Sequence, residues 1–261
     1  MDHHTTWFSW FPGYQWLEHS LNDSARHMIL LPNNPGARYE GVHHVFAAAM
    51  VVVLLMAMSF YARMKVRDLE SALVPPRKFG VVAFFEMILD ALMGMMQGVI
   101  GPEYKRYVPV IGTLALFILC SNLLGLVPGF VPPTDNLNTT FACSIIVFLY
   151  FNYHGLRVHG FGHITHLANP IGKWWGWFLA PLMFPLEVIA LSVRPLSLAL
   201  RLAGNMIGDH KVLFAFAGLV PIVVPLPFYA LGLMVCIIQT AVFCILSTVY
   251  IGLHTAPSDH H

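Results

Sequence analysis

Charge is what this sequence has least of. Asp, Glu, Lys and Arg together make up 10% of its 261 residues. A soluble domain carries about 25%, so this chain cannot coat a water-facing globule. Hydrophobic residues fill the gap at 57%, gathered into long runs. That combination reads as a multi-span membrane protein. The net charge of +1 offers no bulk field for nucleic acid or an acidic partner. No C-x-x-C pair occurs. Cys120, Cys143, Cys236 and Cys244 each lie inside an apolar run and read as buried free thiols. There is no internal repeat and no low-complexity tract. A phosphate-binding loop, a dinucleotide fingerprint and a nucleophile elbow are all missing, so nucleotide chemistry is not expected on this chain. The opening Met1-Asp2-His3-His4 lacks a basic region and a small-residue cleavage site, so no cleaved signal is expected. Trp7, Phe8, Trp10, Phe11, Tyr14 and Trp16 follow instead, and such rings favour the membrane–water boundary.

Six apolar segments can be marked: Val42–Ala62, Phe79–Gly101, Val108–Val127, Phe141–Tyr153, Trp174 to about Phe216, and Ile222 to about Leu253. The stretch Pro128–Thr140 is rich in Pro, Asn and Thr and reads as a turn between spans. Basic residues set the orientation. Arg63, Lys65, Arg67, Arg77 and Lys78 separate segments one and two; Lys105 and Arg106 follow segment two; Arg157 and Lys173 separate segments four and five. The turn Pro128–Thr140 has no Lys or Arg. By the positive-inside rule the basic loops are cytoplasmic. Both ends of segment two are then cytoplasmic, and its Glu86, Asp90 and Gln97 share one helix face. An in-plane or re-entrant helix fits this better than a span; the alternative is a sixth span with its acids facing protein. The expected architecture is all-α: five spans plus that helix, with the N-terminus outside and the C-terminus inside. Residues 1–41 form an outer interfacial segment and residues 42–261 the membrane domain. Segment five runs to roughly 40 residues, or about 60 Å if helical, and segment six to roughly 30 residues or about 45–50 Å, against a hydrocarbon core of about 30 Å. A steeply tilted hairpin over 174–254 follows, with Pro181, Pro185 and Pro195 as places to kink. Tilt on this scale follows a partner surface.

Segment five carries the chemistry. Glu187, Arg194 and Arg201 are seven residues apart, and Asn205 and Asp209 lie four and eight beyond Arg201. At 100° per residue all four companions fall within about 80° of Arg201, with Ser197 near the same line. A central Arg costs about 2.5–3.5 kcal/mol to insert even on the lenient scale, so these groups are candidate functional residues. A structural ion pair accounts equally for Glu187 and Arg194. Arg201 has no carboxylate three or four residues away, so its partner must come from elsewhere.

The run Arg194-Pro195-Leu196-Ser197-Leu198-Ala199-Leu200-Arg201-Leu202-Ala203-Gly204-Asn205-Met206 resembles the signature of the a subunit of rotary ATP synthases. Ser121–Gly129, Pro133–Thr140 and Ile238-Gln239-Thr240-Ala241-Val242-Phe243 are similar to further parts of that family. The resemblance implies a proton-conducting subunit with no cofactor and no catalytic activity of its own. Its implied partners are a ring of c subunits, the peripheral-stalk b subunits, the other synthase subunits and membrane lipid, with no nucleic acid. It implies that Arg201 faces the essential carboxylate of the ring and separates two proton half-channels. Asn205 and Gln239 match polar residues near that Arg on the outer side. His210 matches an entry-channel relay, and Glu187 an acid of the cytoplasmic exit. Arg194, Ser197 and Asn138 are lesser candidates. One departure stands out: where the family has a complementary His or Glu seven residues before the Gln, this chain has Gly232. Asp209, beside His210, is expected to substitute for it, although an ideal helix points the two about 100° apart. Length and the N-terminal extension imply a bacterial inner membrane.

Rival readings are weaker. A secondary cation/proton transporter would bring an inverted repeat, and none is seen. His154, His159, His163 and His166 are similar to one box of a membrane di-iron enzyme, which needs several; a cytoplasmic loop near headgroups is the plainer reading. Gly94 and Gly98 form a G-x-x-x-G suited to close helix packing. Thr134 and Asn138 either line an outer vestibule or serve the turn.

Overall fold

The computed structural model describes residues 20, 43–66, 80–127, 130–159, 176–217 and 225–255. The N-terminal aromatic cluster, Arg67, Arg77, Lys78, Lys173, His163 and His166 lie outside them. Within the described residues the chain is helical throughout, without strands. Six helices follow in order: α1 His43–Val66, α2 Val81–Ile100, α3 Val108–Leu124, α4 Leu137–His159, α5 Gly176–Ala217 and α6 Pro225–Thr255. Two 3-10 turns, Pro102–Arg106 and Pro133–Asp135, punctuate them.

Local chemistry sets the boundaries. After α2 the chain turns at Gly101, whose φ of 84° lies in the left-handed region that favours glycine. Pro102 opens the next turn, and Pro109 lies in the first turn of α3, where no backbone donor is missed. α4 is longer than its apolar core Phe141–Tyr153. Asn136 caps it early, its Oδ1 accepting the N–H of Asn138 at 2.9 Å. Polar Asn138, Thr139 and Thr140 thus enter the helix despite their low hydropathy. Pro225 starts α6 three residues later than the apolar run begins.

Five helices, α1, α2, α4, α5 and α6, are long and apolar enough to cross a membrane. α3, with 17 residues, spans about 26 Å at 1.5 Å per residue, the short end of the crossing range. α5 has 42 residues and stays helical through Pro181, Pro185 and Pro195; it is about 63 Å long, so it must lie oblique to any bilayer it occupies. α6 is the hub and packs against α2, α3, α4 and α5, whereas α1 leans on α3 and the turn 133–135.

The core is apolar: Ile118, Phe151, Leu198, Leu202, Phe243 and Ile251 are all at most 2% exposed. Four of its hydroxyls are satisfied within their own helices. Ser144, Thr240, Ser247 and Thr248 each donate to the carbonyl four residues back at 2.7–2.8 Å, which removes the cost of burying them. The outer surface is apolar as well, with Met56, Leu149, Leu182, Ile189 and Met234 among its exposed residues. Such a surface is stable against lipid and untenable in water. The four cysteines are free, and Cys143, Cys236 and Cys244 are buried.

Candidate functional site

The long α5 sorts its residues by face. Leu191, Leu198, Ala199, Leu202, Ala203 and Met206 are buried against the bundle. Ser197, Leu200, Arg201, Gly204 and Gly208 turn outward and are exposed. A Cβ built on Gly204 or Gly208 would meet nothing within 4 Å, so the described residues have no packing use for their smallness. Arg201 sits among these small residues. It makes no hydrogen bond and no ion pair among the described residues. A guanidinium on a lipid-compatible surface without a counter-charge is costly, which is a strong reason to look outside the chain for its partner.

Toward the α5–α6 turn, Asn205 Nδ2 donates to Gln239 Oε1 at 2.6 Å. Gln239 is 3% exposed, and its own Nε2 is buried without a partner. These two amides belong to an open groove of about 330 Å³ lined by Gly204, Asn205, Gly208, Asp209, Val235, Ile238 and Gln239. Behind it, between α3, α5 and α6, lies a small cavity of about 30 Å³ whose lining includes Asn122, Leu126, Asp209 and Gly232. Asp209 is the residue common to both linings. Gly232 is covered by Leu126: a Cβ there would come 2.9 Å from Leu126 Cδ2. The place of a longer side chain at 232 is thus taken by a leucine methyl. His210 lies in α5, but its side chain is outside the described residues.

At the other end of α5, Arg194 does not pair with Glu187. Its guanidinium carbon sits 5.5 Å from the Tyr250 ring centre, a cation–π distance, and its Nη1 is buried without a hydrogen bond. Glu187 is half-buried and has no partner among the described residues. The internal ion pair allowed by the sequence is therefore not formed; an aromatic ring on α6 takes the cation instead. Along α5, Glu187 and Asp209 lie about 21 Å and 12 Å from Arg201 at 1.5 Å per residue. Acid, base and acid stand at three separate levels along the helix.

The remaining candidates resolve locally. Asn138 is exposed and serves the α4 cap. Thr134 is fully buried and donates to Asn122 Oδ1 at 2.7 Å, so it ties the turn to α3 and faces no vestibule. His154 is 5% exposed, with its ring 4.5 Å from that of Tyr150 and 5.1 Å from that of Tyr107; the side chains of His159, His163 and His166 are not described. Among the described residues no three His, Cys, Asp or Glu are grouped to hold a metal. Gly94 and Gly98 of the G-x-x-x-G are open: among the described residues a Cβ on either would meet nothing within 4 Å. Asn122 and Tyr250 are the members that pattern reading left unassigned. Each is a neutral polar residue inside an apolar helix, a fainter signal than an ionisable one.

Comparison with known proteins bears on this arrangement. The family described as ATP synthase A chain matches residues 44–252. A protein of Sorangium cellulosum named ATP synthase subunit a is 43% identical over 224 residues, 85% of this chain and 86% of its own. One of Bdellovibrio bacteriovorus with the same name is 40% identical over 227 residues, 87% of this chain and 96% of its own. A third, of Geobacter sulfurreducens, is 43% identical over 202 residues, covering 77% and 82%.

Proposed function

The chain belongs to the ATP synthase A chain family, and from that premise we propose that the α5–α6 face is the stationary wall along which a rotating ring of c subunits carries protons. The chain is a multi-pass membrane protein and the proton-translocating membrane subunit of an ATP synthase. Nucleotide chemistry resides on other subunits of that complex.

One observation carries the placement of the site: Arg201 is exposed, flanked by small residues and without a partner among the described residues. A ring carboxylate in lipid is stable when protonated, since a bare buried charge is very costly. Facing Arg201 it is stable when ionised, because an opposite charge lowers a carboxyl pKa. The ring therefore gives up its proton on approach from one side and takes one up on leaving at the other. The membrane potential supplies about 2.3 kcal/mol per charge per 100 mV. Asn205, Gln239, Asp209 and His210 form the entry side; Glu187, with Arg194 held on Tyr250, belongs to the exit side. Ser197 and the glycines leave room for the ring helix.

The orientation follows the loop charges: N-terminus and residues 1–41 on the outer, periplasmic side, C-terminus cytoplasmic, in a bacterial inner membrane. α2 lies in plane or re-entrant on the cytoplasmic side. Its exposed Glu86, Asp90 and Gln97 would meet hydrocarbon if it crossed alone. The outer helices offer lipid and the peripheral-stalk b subunits their contacts.

A direct test of the ring interface is Leu200→Cys in the assembled complex. Leu200 is 49% exposed, beside Arg201. Oxidation should join it to a cysteine placed one turn from the ring carboxylate and stop rotation, with reduction restoring it. Failure to cross-link from any position of that ring helix would overturn the interface. A second expectation concerns entry. Asp209→Asn should slow ATP-driven proton pumping at least tenfold, because a neutral amide cannot relay a proton; unchanged pumping would exclude Asp209 from the path.

A further inference from the structure

The small, partly open cavity beside the groove suggests how a proton reaches Asp209 in a chain that has glycine at 232. Asn122 is 1% exposed. Its Oδ1 accepts a 2.7 Å bond from the Thr134 hydroxyl. With the hydroxyl donating, the amide oxygen faces Thr134. The amide nitrogen is the group left over, and it is buried with no partner among the described residues. An orphaned buried donor costs roughly as much as a lost hydrogen bond and is rarely tolerated without a ligand or water. Asn122 lines the cavity of about 30 Å³ together with Asp209. A water needs roughly 10–15 Å³ measured in this way, and two or more polar partners. The cavity therefore has room for one water, at most two, with an amide donor on one wall and a carboxylate on another. Asp209 also lines the open groove that holds Asn205 and Gln239, so a proton delivered to it from behind is already at the ring-facing side.

We infer that Asn122 is a positioning residue of the entry path: it holds a water against Asp209 in the narrow space between α3, α5 and α6, and that water hands the proton to the carboxylate. Leu126, packed over Gly232, is the apolar lid of the same space. The route replaces a side-chain relay at 232 with a hydrated one anchored on α3. Thr134 sets the amide's direction from the turn 133–135 and thereby fixes the water. The inference rests on the reading of Asp209 as an entry-side relay.

The test is a double-mutant cycle in the assembled complex in liposomes, with potential-driven proton conduction as the readout. Asn122→Leu keeps the bulk and removes both polar partners; conduction should fall about tenfold. In the Asp209→Asn background the same change should have no further effect, which a merely structural role for Asn122 would not produce. Asn122→Ser, still able to hold a water, should stay within about threefold of the parent. Thr134→Val frees the amide to turn and should cost about threefold, again only while Asp209 is present. If Asn122→Leu fails to assemble, the Ser and Val variants decide. Equal losses with and without Asp209, or no loss from either Asn122→Leu or Thr134→Val, overturn the hydrated route. Retained coupling in Arg201→Ala would instead overturn the parent reading.

Discussion

Arg201→Ala in the assembled complex should abolish ATP synthesis while the ATPase activity of the detached soluble head stays at its normal rate. Two unit charges about 4 Å apart attract by about 4 kcal/mol at an effective dielectric of about 20. That is worth about three pK units to the facing carboxyl. Without it the ring acid stays protonated as it crosses, and its release slows by about a thousandfold. A second consequence distinguishes this residue from a merely structural one. With the guanidinium gone, nothing electrostatic keeps the entry-side and exit-side groups apart, so membranes carrying the variant should leak protons passively. Arg201→Lys should fall between the two. A lysine keeps a charge, but it lacks the planar fork and loses its proton more readily when desolvated. Because Arg201 contacts no partner among the described residues, the amount of assembled chain should not change. A variant that made ATP at the parent rate would remove Arg201 from the mechanism.

Much of this arrangement was legible in the sequence because it is written in charge and periodicity. Arg201 announces itself by its cost in an apolar helix, and the 100° step places Asn205 and Asp209 near it without coordinates. The length of α5 was equally readable from one long, mostly apolar segment. Its prolines do not divide it: all three fall within the 42-residue helix, whose neighbours hold it where local propensity alone would break it. Other features need the third dimension. The sequence offered Arg194 an ion pair with Glu187 on its own helix, and only packing reveals that Tyr250 of α6 takes it. Asn122 lies 87 residues before Asp209 in sequence, and no spacing rule connects them; the fold brings both to the lining of one cavity. Gly232 could be read as a departure, but the reason it is tolerated, Leu126 lying over it, is a matter of 2.9 Å. The cap at Asn136 and the Thr134–Asn122 tie belong to the same class, polar contacts made across a turn.

Gly204→Leu should cut ATP synthesis sharply, although it adds nothing that the described residues must accommodate. A side chain at 204 meets no atom within 4 Å, and in a helix interior leucine is favoured over glycine by about 0.5–1 kcal/mol. By itself the chain should therefore fold and assemble at least as well as the parent. The damage falls on the partner. Glycine lets a facing helix come closer than the usual 8–10 Å between axes, and Gly204 lies one turn from Arg201 on the same exposed face. A leucine restores the ordinary spacing. If the charge separation grows from about 4 to about 7 Å, the attraction falls from about 4 to about 2.4 kcal/mol at the same dielectric. The facing carboxyl then recovers a little over one pK unit, and ATP synthesis should fall at least tenfold. The effect should scale with bulk, Gly204→Ala costing far less than Gly204→Leu. Normal coupling in both variants, with the ring still bound, would mean that the ring runs along some other face of α5 and that the small residues around Arg201 serve no close approach.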